Sequence, residues 1–471
     1  MKFSNHSYDV LSPSEIGLIH AGALRILNEM GMEIQNRKLL EACASANLPV
    51  DFDSQRVRFP PAYVERFLAE VEKFDWDTAN PRIDGSAGIY ASLYHDPETG
   101  SLVPWTEERL AFYFALAAAQ SHVNGARMLG SRIVPGPAIL EPLYERYYCW
   151  KYGAHVDGSI YMDEICPYLL DLYQVYADRR GVPIQDIFKA GVFLVPPFKL
   201  GVHEAYQMVY FWERGLHVSF SDMFSMGMSA PVTLAGAVTL NLAEHFALRI
   251  LEHVLYGPKQ LHLGSVITAA DMRTTVFPFG RPEITFTNLM TAQLARFYGA
   301  TFIGFGGLTD GKMPSTEVGM QKMLTALPVI MTGGDLWTDG GLLANDEIVS
   351  PIQLLLDNEY LGLLKRFWHE FEVSEDTLAI DTILKAGPAG NFLTARHTAT
   401  HYRDELWQPS IWTRTMLNAW QSAGSKLDTD TAREQIMEFK QRGAPAPVIS
   451  DELDRDLLAV IERAKKAIAV K

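Results

Sequence analysis

Six aromatic residues, Phe198, Phe220, Phe224, Phe305, Trp337 and Phe392, stand at the ends of short apolar stretches of this chain, and Asp163, Asp222 and Asp335 accompany them. Aromatic faces carry a negative quadrupole potential and a carboxylate adds a full charge. Such a set, once converged, stabilises a fixed cation that has no hydrogen to donate. A quaternary ammonium is the simplest ligand of that kind. Any one of these rings could instead fill a core; the signal lies in their number.

Other chemistries are less well supplied. The glycine-rich pieces Gly304-Phe-Gly-Gly and Thr332-Gly-Gly-Asp fit neither GxGxxG nor GxxxxGK[ST], and tight turns explain them better than a phosphate cradle. His397 and His401 are spaced i, i+4 in HTATH, which puts two imidazoles on one helix face. The Glu of HExxH is absent, however, and two histidines do not close a metal site. Glu244-His245 and His253 fall on a long amphipathic stretch and read as satisfied histidines. No GxSxG elbow occurs, and Cys43, Cys149 and Cys166 show no CxxC spacing.

Composition narrows the partners. The 471 residues carry 41 Lys+Arg against 56 Asp+Glu, a net charge of −15, which argues against nucleic acid or an anionic membrane. With 48% hydrophobic and 21% charged residues the chain is an ordinary globular mixture. Its start lacks the apolar core of a signal peptide, and the longest apolar run, Leu110 to Ala119, is shorter than the ~20 residues that span a bilayer. A soluble, cytoplasmic protein is expected.

The elements that would position these residues change character along the chain. Residues 12–48 carry a cap (Ser12 or Ser14), helical spacing through Ile19, Ala23 and Leu27, a stop at Gly31, and a second cap at Asn36. Pro60-Pro61 then precedes another helical stretch, Ala62–Val71. From about residue 86, short apolar stretches alternate with helix-length segments. The expected strands are Arg127–Val134, Ser159–Met162, Ala190–Val195, His217–Asp222, Gln260–Ile267, Thr301–Phe305, Val329–Thr332 and Ile380–Lys385. An α/β fold follows, a (β/α)8 TIM barrel over 86–425 with helical extensions at 1–85 and 426–471. In such barrels the chemistry sits at the carboxyl ends of the strands, here from Pro135 round to Gly387–Phe392.

Several segments also resemble a known family. Gly227-Met-Ser-Ala-Pro-Val-Thr-Leu-Ala-Gly-Ala-Val-Thr-Leu-Asn-Leu-Ala-Glu resembles the signature of the trimethylamine methyltransferases. His95-Asp-Pro-Glu-Thr-Gly, Leu354-Leu-Leu-Asp-Asn-Glu, Asn391-Phe-Leu-Thr-Ala-Arg-His-Thr and Trp407-Gln-Pro-Ser resemble its other motifs, in the same order. The resemblance implies a barrel enzyme that passes a methyl group from a methylamine or quaternary amine to the Co(I) of a separate corrinoid protein. The cobalamin would travel with that partner and not bind tightly here, and a homo-oligomer is implied too. Founding members carry pyrrolysine; the corresponding Met331-Thr-Gly-Gly-Asp-Leu-Trp holds only ordinary residues, as in the branch that includes the glycine betaine methyltransferases.

This resemblance assigns roles. Phe220, Phe224, Phe305 and Trp337 are expected to cage the cation, and His397 and Asn345 to anchor a carboxylate tail. Asp335 would face the ammonium or cap the glycine-rich turn. Tyr94 and His95 would line the entrance or pack. No catalytic group is assigned, because a quaternary ammonium leaves as a neutral amine and the protein's task is to hold one N–CH₃ bond in line. Two alternatives stay open: a metal-dependent lyase or hydrolase using His262, His397 and His401, and a non-catalytic betaine-binding protein.

Overall fold

Ser12 starts the first helix, Pro13–Glu29, with a reciprocal cap: its hydroxyl accepts from the Glu15 N–H while the Glu15 carboxylate accepts from the Ser12 N–H. Two donors that a helix start leaves unpaired are thereby satisfied. Asn36 caps Arg37–Ser45 through its side-chain oxygen. Ile16, Ile19, Ala23 and Leu27 form the buried stripe of the first helix, which packs against the long helix Leu234–Tyr256. The computed structural model describes residues 8–90, 93–129, 136–156, 158, 160, 162–257, 260–369, 371–443 and 446–469.

Eight strands build the centre: β1 (Ile83–Tyr90), β2 (Val123–Leu129), β3 (His155–Val156), β4 (Gly191–Phe193), β5 (Ser219–Ser221), β6 (His262–Ser265), β7 (Thr301–Phe305) and β8 (Asp335–Gly340). Six pair in parallel in the order β6-β7-β8-β1-β2-β3, and β4 pairs in parallel with β5. A further parallel pair, Phe224–Met226 with Ile267–Ala269, follows β5 and β6. The fold is therefore mixed α/β, and among the described residues its parallel strands form separate sheets. Single backbone bonds span the gaps. Gly191 N–H donates to Gly158 O at 2.8 Å, Ile160 N–H to Gly191 O at 3.1 Å, and Phe224 N–H to Val266 O at 2.9 Å.

Two expected strands are helical. Val329–Thr332 falls at the end of helix Thr316–Met331, and Ile380–Lys385 lies within Ile380–Ala386. Their places among the strands are taken by β1 (IDGSAGIY) and β8 (DLWTDG), which are too small and polar to read as buried strands. The apolar run Leu327–Met331 closes a well-covered helix, and periodicity does not separate a buried helix from a buried strand. The boundary expected at 85/86 falls inside β1, and residues 371–425 carry helices and no strand. The expected strands Arg127–Val134 and Ser159–Met162, and the strand end Pro135, run into positions outside the described residues. Helix Leu234–Tyr256 is long and apolar enough to cross a membrane by length and composition alone, yet 78% of its apolar window is buried in the fold.

Helix Glu141–Tyr152 fastens the strands with buried charge. The Glu145 carboxylate accepts from Met128 N–H of β2 at 2.9 Å and from Gly158 N–H at 3.0 Å, and it meets the Arg146 guanidinium at 3.2 Å. Arg146 also donates to Lys189 O at 3.1 Å, on the approach to β4. Both side chains are fully buried, and burial pushes the Glu145 carboxyl upward despite its partners. Deleting one member of such a pair leaves the other charge without compensation. Glu145→Ala is accordingly expected to lower the unfolding free energy by about 3–5 kcal/mol in a urea titration. Arg37→Ala, which removes an exposed i,i+4 partner of Glu41, should leave the midpoint where it was.

Candidate functional site

Successive residues of a strand point to opposite faces, so i, i+2 sets share one side. Gly191 and Phe193 of β4, Ser219 and Ser221 of β5, and Ile303 and Phe305 of β7 are such sets, and with Trp337 of β8 they line one cavity of about 250 Å³ between the strands. Arg82, just ahead of β1, and Arg127, within β2, bring positive charge to its wall. Asp222, just after β5, and His245, from the helix Leu234–Tyr256, bring a carboxylate and an imidazole.

The aromatic wall is continuous. The Phe305 ring lies 5.1 Å from Trp337 and 5.5 Å from Phe279, centroid to centroid. The Arg127 guanidinium sits 4.4 Å from the centre of the Trp337 ring, so one indole face already holds a cation. Arg127 also pairs with Asp339 at 3.4 Å, and the same carboxylate oxygen accepts from the Tyr90 hydroxyl at 3.1 Å.

Several polar atoms at this cavity have no protein partner: Trp337 Nε1, Asp222 Oδ2, His245 Nδ1 and Ser265 Oγ are buried without a hydrogen bond. An unmade hydrogen bond in the interior costs about 1–3 kcal/mol. Four of them around one cavity mark where a ligand would be held. Burial pushes the Asp222 carboxyl up against the pull of Arg249. Burial and the same arginine push His245 down to about 3, so its imidazole is neutral. Positive charge from the arginines and an acid on another wall suit a small molecule that carries both signs.

A second acidic cluster lies at the far end of β8. Asp339 is buried, and Asp346 beside it is pushed up to about 8 by burial and by the Asp339 charge, with Lys322 pulling the other way. Asp346 closes a run of three residues with left-handed backbone, Ala344, Asn345 and Asp346, at φ 56°, 57° and 69°. Such conformations persist only where the surroundings over-determine them. Here Ala344 N–H donates to Gly311 O at 2.8 Å, Asn345 N–H to Thr309 O at 3.1 Å, and Asn345 Nδ2 to Phe277 O at 2.8 Å.

Of the residues expected to form the site, Phe305 and Trp337 meet at this cavity. Phe220 does not: it lies between Ser219 and Ser221, so alternation turns it to the other face, into the core. Phe224 is fully buried in its own short strand and does not line the cavity. Asp335 stands at the amino end of β8, where it accepts from Arg82 N–H at 2.7 Å and pairs with its guanidinium at 3.8 Å. The Asn345 amide is committed to Phe277, as above. His397 stacks on His401 at 4.3 Å on an exposed helix, and His401 pairs with Asp376 at 3.3 Å. Tyr94 packs on Trp105 at 5.0 Å, and His95 Nδ1 meets Ser350 Oγ at 2.8 Å. His262 bonds Thr301, and among the described residues no group of three or more metal-ligating side chains is assembled. Arg82, Arg127, Phe193 and His245 were not anticipated. Strand parity counted from Phe305 or Phe193 was the available signal for the strand residues; none announced His245, which is not the satisfied core histidine expected.

A family model described as trimethylamine methyltransferase matches residues 2–94 and 188–469. The chain is 25% identical to the glycine betaine methyltransferase of Desulfitobacterium hafniense, covering 98% of each chain. It is 28% identical to a trimethylamine methyltransferase of Methanosarcina barkeri, over 98% of this chain and 96% of that one. The crystal structure of the monomethylamine methyltransferase of Methanosarcina barkeri aligns with a TM-score of 0.46 at 12% identity, over 99% of this chain and 94% of that one.

The cluster around Asp346 has a measurable consequence. Its folded-state value lies above the ~4 of an ordinary aspartic acid, so its contribution to stability is full below about pH 4 and is lost as pH rises through about 8. Asp346→Asn lacks that loss. Its melting temperature should fall less than the parent's between pH 5 and pH 8; an equal fall in both would refute the assignment.

Proposed function

This chain belongs to the trimethylamine methyltransferase family, and we propose that it takes a methyl group from a quaternary amine, glycine betaine or a related betaine, and delivers it to the cobalt of a separate corrinoid protein. The observation that carries this reading is the cavity lined by Phe305, Trp337 and Asp222, whose Oδ2 has no partner, with two arginines on the walls. The 25% identical glycine betaine methyltransferase supports the choice of substrate. The eight strands are read as one (β/α)8 barrel, its gaps spanned by the bonds at Gly191 and Phe224. A cytoplasmic setting and a homo-oligomer belong to the same proposal.

In the transfer, the N–CH₃ bond breaks with its electron pair left on nitrogen, so the amine departs neutral and needs no proton. Phe305 and the open face of Trp337 hold the trimethylammonium group, since aromatic faces stabilise positive charge without hydrogen bonding. Asp222 supplies the countercharge. Arg82, Arg127 and Trp337 Nε1 offer donors to a carboxylate tail. Fixing the donor in this way leaves one methyl aligned for attack, which is the main contribution a protein can make to such a displacement.

The nucleophile has to come from outside the cavity. Burial pushes the Cys43 and Cys166 thiols up to about 12, and Cys149 further still, so none is a thiolate at neutral pH. His245 Nε2 is turned to the Gly264 N–H at 3.2 Å. A reduced corrinoid, when its carrier docks, supplies a nucleophile that needs no base from this chain.

Incubation of the protein with cob(I)alamin and a panel of betaines should yield methylcobalamin. Phe305→Ala should weaken substrate binding by about 0.5–2 kcal/mol, read as a higher KM with the fold intact. No methylation from any betaine, under conditions where the cobalt remains reduced, would overturn the proposal.

A further inference from the structure

Asp222 is the most buried charged side chain at the cavity, at 2% exposure, and its Oδ2 has no partner. Its Oδ1 faces His245 Nε2 at 3.5 Å. That nitrogen already accepts from the Gly264 N–H at 3.2 Å, so it carries no hydrogen of its own. An ionised carboxylate would thus confront an imidazole lone pair. A hydrogen on Asp222 removes the negative charge, and with it the conflict.

A second carboxylate sits close by. Glu244 is fully buried, Oε1 accepts from Phe198 N–H at 3.1 Å, and Oε2 has no partner. Two neighbouring carboxylates in a low-dielectric interior do not both ionise. The other charged groups do little to relieve them. Arg249, on the same helix, is engaged by Glu252 at 2.8 Å; His245 and His262 are held neutral by burial; Arg127 and Arg82 stand elsewhere on the cavity wall with Asp339 and Asp335. Burial pushes both acids upward, and the Asp222 charge adds to the rise at Glu244.

We propose that Asp222 holds a proton in the substrate-free enzyme and releases it to solvent when a quaternary ammonium enters the cavity, becoming the counter-ion of that cation. The exchange conserves charge within the site: the O–H bond of Asp222 breaks, the proton leaves to water, and the ammonium takes its place. This rests on the betaine reading above and adds a selection rule. A ligand qualifies by bringing a permanent positive charge, and an uncharged molecule of the same shape finds a protonated, unresponsive acid.

Calorimetric titration of the full chain tests it, with glycine betaine, tetramethylammonium and the uncharged-carbon analogue 3,3-dimethylbutanoate, each in phosphate and in Tris. The two cations should bind with release of about one proton, and their affinity should rise about tenfold per pH unit below the Asp222 transition. The carbon analogue should release none and bind at least about tenfold more weakly than betaine. Asp222→Asn should abolish proton release and weaken cation binding. Glu244→Gln, which copies the uncharged form of that neighbour, should retain both cation binding and proton release. Cation binding with equal heats in both buffers, or an Asp222→Asn protein that still releases a proton, overturns the proposal. If methylcobalamin still forms from betaine in that case, only the proton coupling has failed. If neither cation binds at all, the betaine reading falls with it.

Discussion

The interior of this protein is governed by the two-residue period of its parallel strands. Each strand sends alternate side chains inward, and the opposite set is covered by helices. Phe193, Ser219, Ser221, Phe305 and Trp337 reach the cavity because of their parity, while Phe220 and Phe302 form the outer packing for the same reason. A shift of one residue in any strand would exchange the two sets. The binding surface and the hydrophobic core are therefore specified together, by one register.

Charge in that interior divides into two populations. Glu145 with Arg146, and Lys322 with Asp357 at 2.9 Å, are paired and bonded to backbone, and they join neighbouring elements. Asp222, Glu244 and Asp346 each keep a carboxylate oxygen without a partner, and all three are pushed toward the protonated form. An isolated ion is poorly solvated in a medium of low polarisability, so it either finds a partner or takes up a proton. The first kind of group serves the scaffold. The second includes Asp222, which stands just after β5 on the cavity wall.

What the amino-acid sequence disclosed follows from how local each signal is. Ser12 and Asn36 announce their helices because a cap is a contact within three residues. The strands β4 to β7 could be read as apolar runs, but β1 and β8 could not, since glycine, serine and aspartate there answer to a site and not to burial. Phe305 and Trp337, singled out by type and place, both line the cavity. Phe220 falls on the other face because strand parity depends on a register that single-sequence reading does not fix. Asp222 and His245 come together from different elements, which no spacing rule detects. The signature segment Gly227–Glu244 nevertheless ends at Glu244, one residue before His245, so the stretch that carries the family likeness places a buried acid within reach of the Asp222 charge.

The left-handed run Ala344–Asn345–Asp346 links three connecting segments that would otherwise be independent. Through Phe277, Thr309 and Gly311 it stitches the stretches after β6 and β7 to the stretch after β8. With so little conformational slack, pulling on any one of these stretches drags its neighbours along. A visitor that nudged the rim beyond β6 would be felt beyond β8 as well, and that arc of the rim would yield as one piece.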